Sequence, residues 1–85
     1  MSHYLVIAMR KPGFDTAVIG PHVAWLDDLR ARGLLALTGG FGDGSGGAYV
    51  LQGLASLAEA QALVATDPLA VTGSSDITVR EWNTR

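Results

Sequence analysis

The chain has 85 residues, no cysteine, 48% hydrophobic against 16% charged residues, and a formal charge of −2. One domain spanning residues 1–85 is all this length holds, and disulfide staples are excluded. An acidic balance with no basic stripe and no interleaved aromatics argues against nucleic acid as a partner.

Residues 3–9, His-Tyr-Leu-Val-Ile-Ala-Met, are a short apolar run ended by Arg10-Lys11-Pro12-Gly13, which predicts a central strand. Its two faces, Tyr4, Val6, Ala8 and Leu5, Ile7, Met9, are both apolar. A single sheet with helices on one side leaves its other face wet, so the second apolar face implies a cover, most simply the sheet of a second subunit. Residues 14–20 connect to Pro21, whose preset φ suits the first helical position. Trp25, Leu26 and Leu29 then share one face of a helix running to about Arg32 and closed by Gly33.

Leu34–Phe41 and Gly47–Gln52 read as the second and third strands, joined through Asp43-Gly44-Ser45-Gly46. Ser56-Leu57-Ala58-Glu59 is a capping box that opens an alanine-rich helix to about Thr66. Proline disfavours helical geometry in the residue before it, so Asp67-Pro68 breaks that helix. The last strand, Asp76–Trp82, alternates Ile77, Val79, Glu81 with Thr78, Arg80, Trp82 and lies near an edge. No signal-peptide pattern and no run near ~20 apolar residues occurs, so cytoplasmic residence without a membrane partner is expected. With neither thiols nor a metal-spaced cluster, oligomerisation is the remaining source of stability for so small a core.

The order βαββαβ predicts an α+β domain. Strand 1 runs up, helix 1 down, strand 2 up, strand 3 down, helix 2 up and strand 4 down. The start of helix 1, the glycine-rich hairpin and the end of helix 2 therefore share one edge of the sheet, which brings His22, residues 39–47 and Asp67 together.

At a helix start the dipole disfavours a positive imidazole, which suits His22 as a proton acceptor. The plainer reading is a histidine packed against Trp25 and Leu26. Asp67, followed by proline, is a natural N-cap for a short turn over 68–71; beside His22 it is equally a carboxylate that orients the imidazole. Residues 42–47 match G-x-G-x-x-G, yet they lie between two strands, so dinucleotide binding is rejected. The glycines instead allow close approach of backbone amides to a ligand. Asp43 is a turn residue placed to line the same cavity, and Ser45 lacks a G-x-S-x-G frame. Arg10 and Lys11 end the first strand at this edge, where a carboxylate or phenolate would be attracted; solvation is the ordinary fate of such a pair. His3 reads as a surface residue.

Taken together, the apolar N-terminal strand, Pro21-His22 with Trp25-Leu26 and Leu29, Gly33-Leu34-Leu35, Gly39-Gly40-Phe41 with Asp43, Glu59-Ala60, and Asp67-Pro68 with Gly73 resemble the YciI-like (YCII-related) proteins. These belong to the dimeric α/β-barrel superfamily. The resemblance implies a ferredoxin-like fold with a four-stranded antiparallel sheet, a homodimer packed sheet to sheet, and a His–Asp dyad at His22 and Asp67. Relatives include a dehydrochlorinase of a hydroxyhydroquinone, muconolactone isomerases and small monooxygenases.

The expected function is a cofactor-free lyase or isomerase moving a proton on a small aromatic or cyclic-enol substrate. His22 is the base and Asp67 its partner, with Gly39, Gly40, Phe41, Asp43 and Arg10 as the substrate-binding set. The alternative is a dimeric domain that holds a small metabolite without turnover, or one whose His22 and Asp67 merely finish the fold. No metal site is expected.

Overall fold

The computed structural model describes residues 2–85. Its elements run β1 (Ser2–Arg10), a 3-10 turn (Thr16–Val18), α1 (Ile19–Ala31), β2 (Leu35–Gly40), β3 (Gly46–Leu51), α2 (Leu57–Val64), α3 (Pro68–Val71) and β4 (Ser75–Asn83). The strands form one antiparallel sheet in the order β2-β3-β1-β4. This is the βαββαβ path of a ferredoxin-like fold, with the most apolar strand at the centre. Among the described residues no helix is long and apolar enough to cross a membrane.

Helix boundaries follow local chemistry. α1 begins at Ile19, two residues before Pro21, because the 3-10 turn leads straight into it; Asp15 closes that turn by accepting the Ala17 N–H at 2.9 Å. Pro21 is tolerated there since the first turn of a helix has no intrahelical partner for its N–H groups. Gly33, with φ of 75°, ends α1 as expected. Ser56 Oγ accepts the Glu59 N–H at 3.1 Å, and Glu59 reaches back to the Ala55 N–H at 3.1 Å, one residue beyond the N-cap N–H that the usual capping box engages. α2 stops at Val64, and Asp67 caps α3 by accepting the Leu69 N–H at 2.9 Å.

The strand register sorts the helix-facing side chains into rows. Leu35, Leu51, Tyr4 and Glu81 make the lowest row; Thr38, Tyr49, Val6 and Val79 the next; Gly40, Gly47, Ala8 and Ile77 the third. A bulge between Leu35 and Leu37 returns Thr38 to the face that Leu35 occupies. The lower rows pack with Leu26, Leu29, Ala60 and Val64 into the main core, and Ala8, Val18 and Leu69 form a smaller cluster above it. Across β2, β3 and β1 side-chain size thus falls from bottom to top, while β4 keeps Ile77.

On the other face Leu5, Ile7 and Met9 of β1 lie beside Val50, Leu37 and Trp82. Leu37 is 69% and Trp82 48% exposed. Among the described residues no element covers that face.

Candidate active site

Where β2, β3 and β1 carry only Gly40, Gly47 and Ala8 in the third row, a cavity of about 360 Å³ opens between sheet and α1. Its shape depends on two backbones running closer than a side chain permits. A Cβ on Gly46 would strike the Ala8 carbonyl oxygen, and one on Gly47 would come within 2.5 Å of the Gly39 carbonyl oxygen. Backbone neighbours cannot step aside as a flexible side chain can, so both positions require glycine.

His22, in the first turn of α1, lines this cavity. Its Nδ1 lies 2.8 Å from Asp67 Oδ1, across 45 residues of sequence. Asp67 is fully buried. A lone carboxylate in such a place would be destabilised by several kcal/mol; here three groups meet it. The Tyr49 hydroxyl donates to Oδ2 at 2.8 Å, and the Leu69 N–H donates to Oδ1 at 2.9 Å. Because a carboxylate only accepts, the pattern assigns the imidazole proton to Nδ1 and leaves Nε2 as the ring's accepting atom. Burial, then the Asp67 charge and hydrogen bond, raise the Tyr49 pKa above its ordinary value of 10.0, so the phenol stays a donor.

Aromatic contacts hold the imidazole in place. Trp25 stacks near it with centroids 6.4 Å apart and planes inclined by 19°, and Trp25 meets Tyr49 edge-on at 5.6 Å. The indole N–H donates to Thr66 Oγ1 at 3.0 Å, and that hydroxyl donates to the Leu63 carbonyl at 2.6 Å. The middle of α1 and the segment that follows α2 are thereby tied beside the pair. Both sequence readings of Asp67 describe it, since Oδ1 caps α3 and meets His22 at once. His22 likewise packs beside Trp25 and pairs with the carboxylate.

Arg10, Gly39 and Gly40 line the cavity. Phe41 and Asp43, expected with them, do not: they close the hairpin instead. Phe41 donates its N–H to Gly46 and accepts from the Gly44 N–H, and Asp43 Oδ1 accepts the Ser45 N–H at 2.9 Å. Hydrogen bonds from Ser45, its side chain first, lower the Asp43 pKa. Lys11 turns away to Asp76 at 3.9 Å, both exposed, and His3 Nδ1 sits 2.7 Å from Thr84 Oγ1. Among the described residues no three of His, Cys, Asp and Glu are grouped to hold a metal. Tyr49 is the member that sequence reasoning missed. Its signal was strand parity: it shares a face with Leu51 and Gly47, so its hydroxyl enters the helix-covered layer and needs a partner there.

The YCII-related domain family matches residues 2–83. The chain belongs to this family. It is 40% identical over 82 residues to the uncharacterised protein YjpA of Bacillus subtilis strain 168, covering 96% of this chain and 95% of YjpA. Among solved structures it is similar to the 5-chloro-2-hydroxyhydroquinone dehydrochlorinase TftG of Burkholderia phenoliruptrix AC1100, in complex with 2,5-dihydroxybenzoquinone. That likeness has a TM-score of 0.74 at 22% identity over 95% of this chain and 93% of the other. An antibiotic biosynthesis monooxygenase aligns with a TM-score of 0.64 at 15% identity, over 100% and 99% of the two chains. At those identities the two structures speak for the fold that YCII-related chains share.

Proposed function

We propose that this protein is a cofactor-free lyase or isomerase that uses His22 and Asp67 on a small aromatic or cyclic-enol substrate. The observation that carries the reading is the 2.8 Å His22–Asp67 pair at the wall of a cavity of about 360 Å³, a volume in the range that takes one small molecule. His22 Nε2 accepts a proton from a hydroxyl or an acidic carbon of the substrate, and the electron pair released moves into the ring. In an elimination it then expels an anion from a neighbouring carbon; in an isomerisation the imidazolium returns the proton to a different atom. Asp67 stabilises the imidazolium, Tyr49 and Leu69 fix Asp67, and backbone amides near Gly39 and Gly40 face the developing negative charge. The likeness to the dehydrochlorinase and its dihydroxybenzoquinone ligand supports a hydroxylated, quinone-like ring as the first substrate class to try.

The test is a screen of chlorinated hydroxyhydroquinones and muconolactones with the wild-type chain and with His22→Asn. Conversion by the wild type, reduced roughly 10²–10⁴-fold in a variant that still folds, is expected. Binding without conversion would replace this reading by that of a metabolite-holding domain. We propose further that two chains join through the uncovered sheet face, supported by the exposed Leu37, Met9 and Trp82 on it. Such a contact buries at least ~800 Å² per partner, and sedimentation of a stable monomer at micromolar concentration would overturn it.

A further inference from the structure

The cavity is not uniform in charge. Toward the C-terminal end of α1 it is lined by Asp27 and Arg30, one turn apart on the helix, whose opposite charges largely offset each other. By β4 the balance differs. Arg10 and Ser75 are direct register partners across β1 and β4, and both line the cavity. The Arg10 guanidinium lies 4.4 Å from the centroid of the Phe14 ring, also in the lining. Stacking of this kind orients the guanidinium plane and leaves its N–H edge unused. Among the described residues no carboxylate pairs with Arg10. Ser75 is only 6% exposed, and it lines the cavity beside Arg10. A hydroxyl beside a guanidinium that has no carboxylate partner, both lining one cavity, forms a pair of donors able to meet an acceptor there.

We propose that Arg10 and Ser75 form an anion subsite for a carboxylate on the substrate, so that the substrate class narrows to small aromatic or cyclic acids. The proposal rests on the proton-transfer reading of the same cavity: the carboxylate is held at the β4 end and turns the ring toward His22. Phe14, Ile19 and Leu69 supply the apolar wall against which such a ring lies.

The test uses 2,5-dihydroxybenzoate and its methyl ester, which differ in charge and little in shape, titrated into the full chain and followed by NMR chemical shifts. A charge-assisted hydrogen bond in a partly exposed site is expected to favour the acid by about tenfold. Arg10→Gln should abolish that preference while leaving the ester's affinity unchanged, Ser75→Ala should reduce it, and added salt should weaken it. Arg30→Gln should preserve it. Equal affinity of the wild type for acid and ester, equal weakening of both by Arg10→Gln, loss of the preference in Arg30→Gln, or no binding of the acid at millimolar concentration would each overturn the subsite. His22→Asn is measured alongside. An acid preference kept in that variant upholds the subsite even if the substrate screen finds no turnover, so the two readings fail separately.

Discussion

Below Tyr49 the layer between sheet and helices is filled by Tyr4, Leu35, Leu51, Leu29 and Val64; above it the same strands carry Gly40, Gly47 and Ala8, and a cavity takes the place of side chains. The lower end is held by burial. The upper end is held by the hydrogen bonds that converge on Asp67 and by the aromatic contacts around His22. In a domain of this length the difference shows how a ligand-sized space is made: large residues are left out toward the top of β1, β2 and β3, and a buried carboxylate organises the elements around the gap.

Substitutions that remove one kind of support test whether the two ends are independent. The largest effect is expected from Asp67→Ala, which strips the partner from Tyr49, His22 and the Leu69 N–H together and should destabilise by about 3–5 kcal/mol in denaturant titration. A loss below about 1 kcal/mol would mean that the carboxylate does not organise the upper end. Leu29→Ala acts at the other end. Removing a fully buried leucine should destabilise by about 2–5 kcal/mol, while ligand shifts at the cavity stay as in the wild type. If those shifts disappear in a chain that is still folded, the two ends are coupled.

Tyr49 stands at the boundary, and Tyr49→Phe should destabilise by about 1–2 kcal/mol by taking one donor from Asp67. Its pH dependence sharpens the point. The folded chain holds the phenol proton to higher pH than the unfolded chain, where it leaves near pH 10, so above that pH the unfolded state binds fewer protons. The stability owed to this group is therefore complete below about pH 10 and falls by about 1.4 kcal/mol per pH unit above it, until the folded state too ionises. Alkaline unfolding of wild type and Tyr49→Phe measures the difference; parallel curves would show that Tyr49 does not titrate with unfolding.

The order of elements was legible because periodicity, Pro21, the Ser56–Glu59 cap and Asp67-Pro68 each point one way. From that order alone, the shared edge of His22 and Asp67 followed. The bulge in β2 was not legible, since one extra residue between Leu35 and Leu37 leaves no mark in composition. Phe41 and Asp43 were expected in the site because they flank its glycines; the hairpin uses their polar groups to close itself. Tyr49 went unseen for a related reason: both faces of its strand carry residues that suit a core, so strand parity placed its hydroxyl in the helix-covered layer without naming its partner, which is Asp67.

Asp67 caps α3 and anchors His22 with the same oxygen. Under the proposed function, a descendant that gave up proton transfer would still need the aspartate to begin α3 and to meet Tyr49, whereas the imidazole would keep only its contacts with Trp25 and Tyr49. The two positions therefore differ as markers. If the proposed proton transfer holds, then when sequences of this fold are sorted into working and lapsed copies, the aspartate would report the fold and the histidine whether the site is still in use.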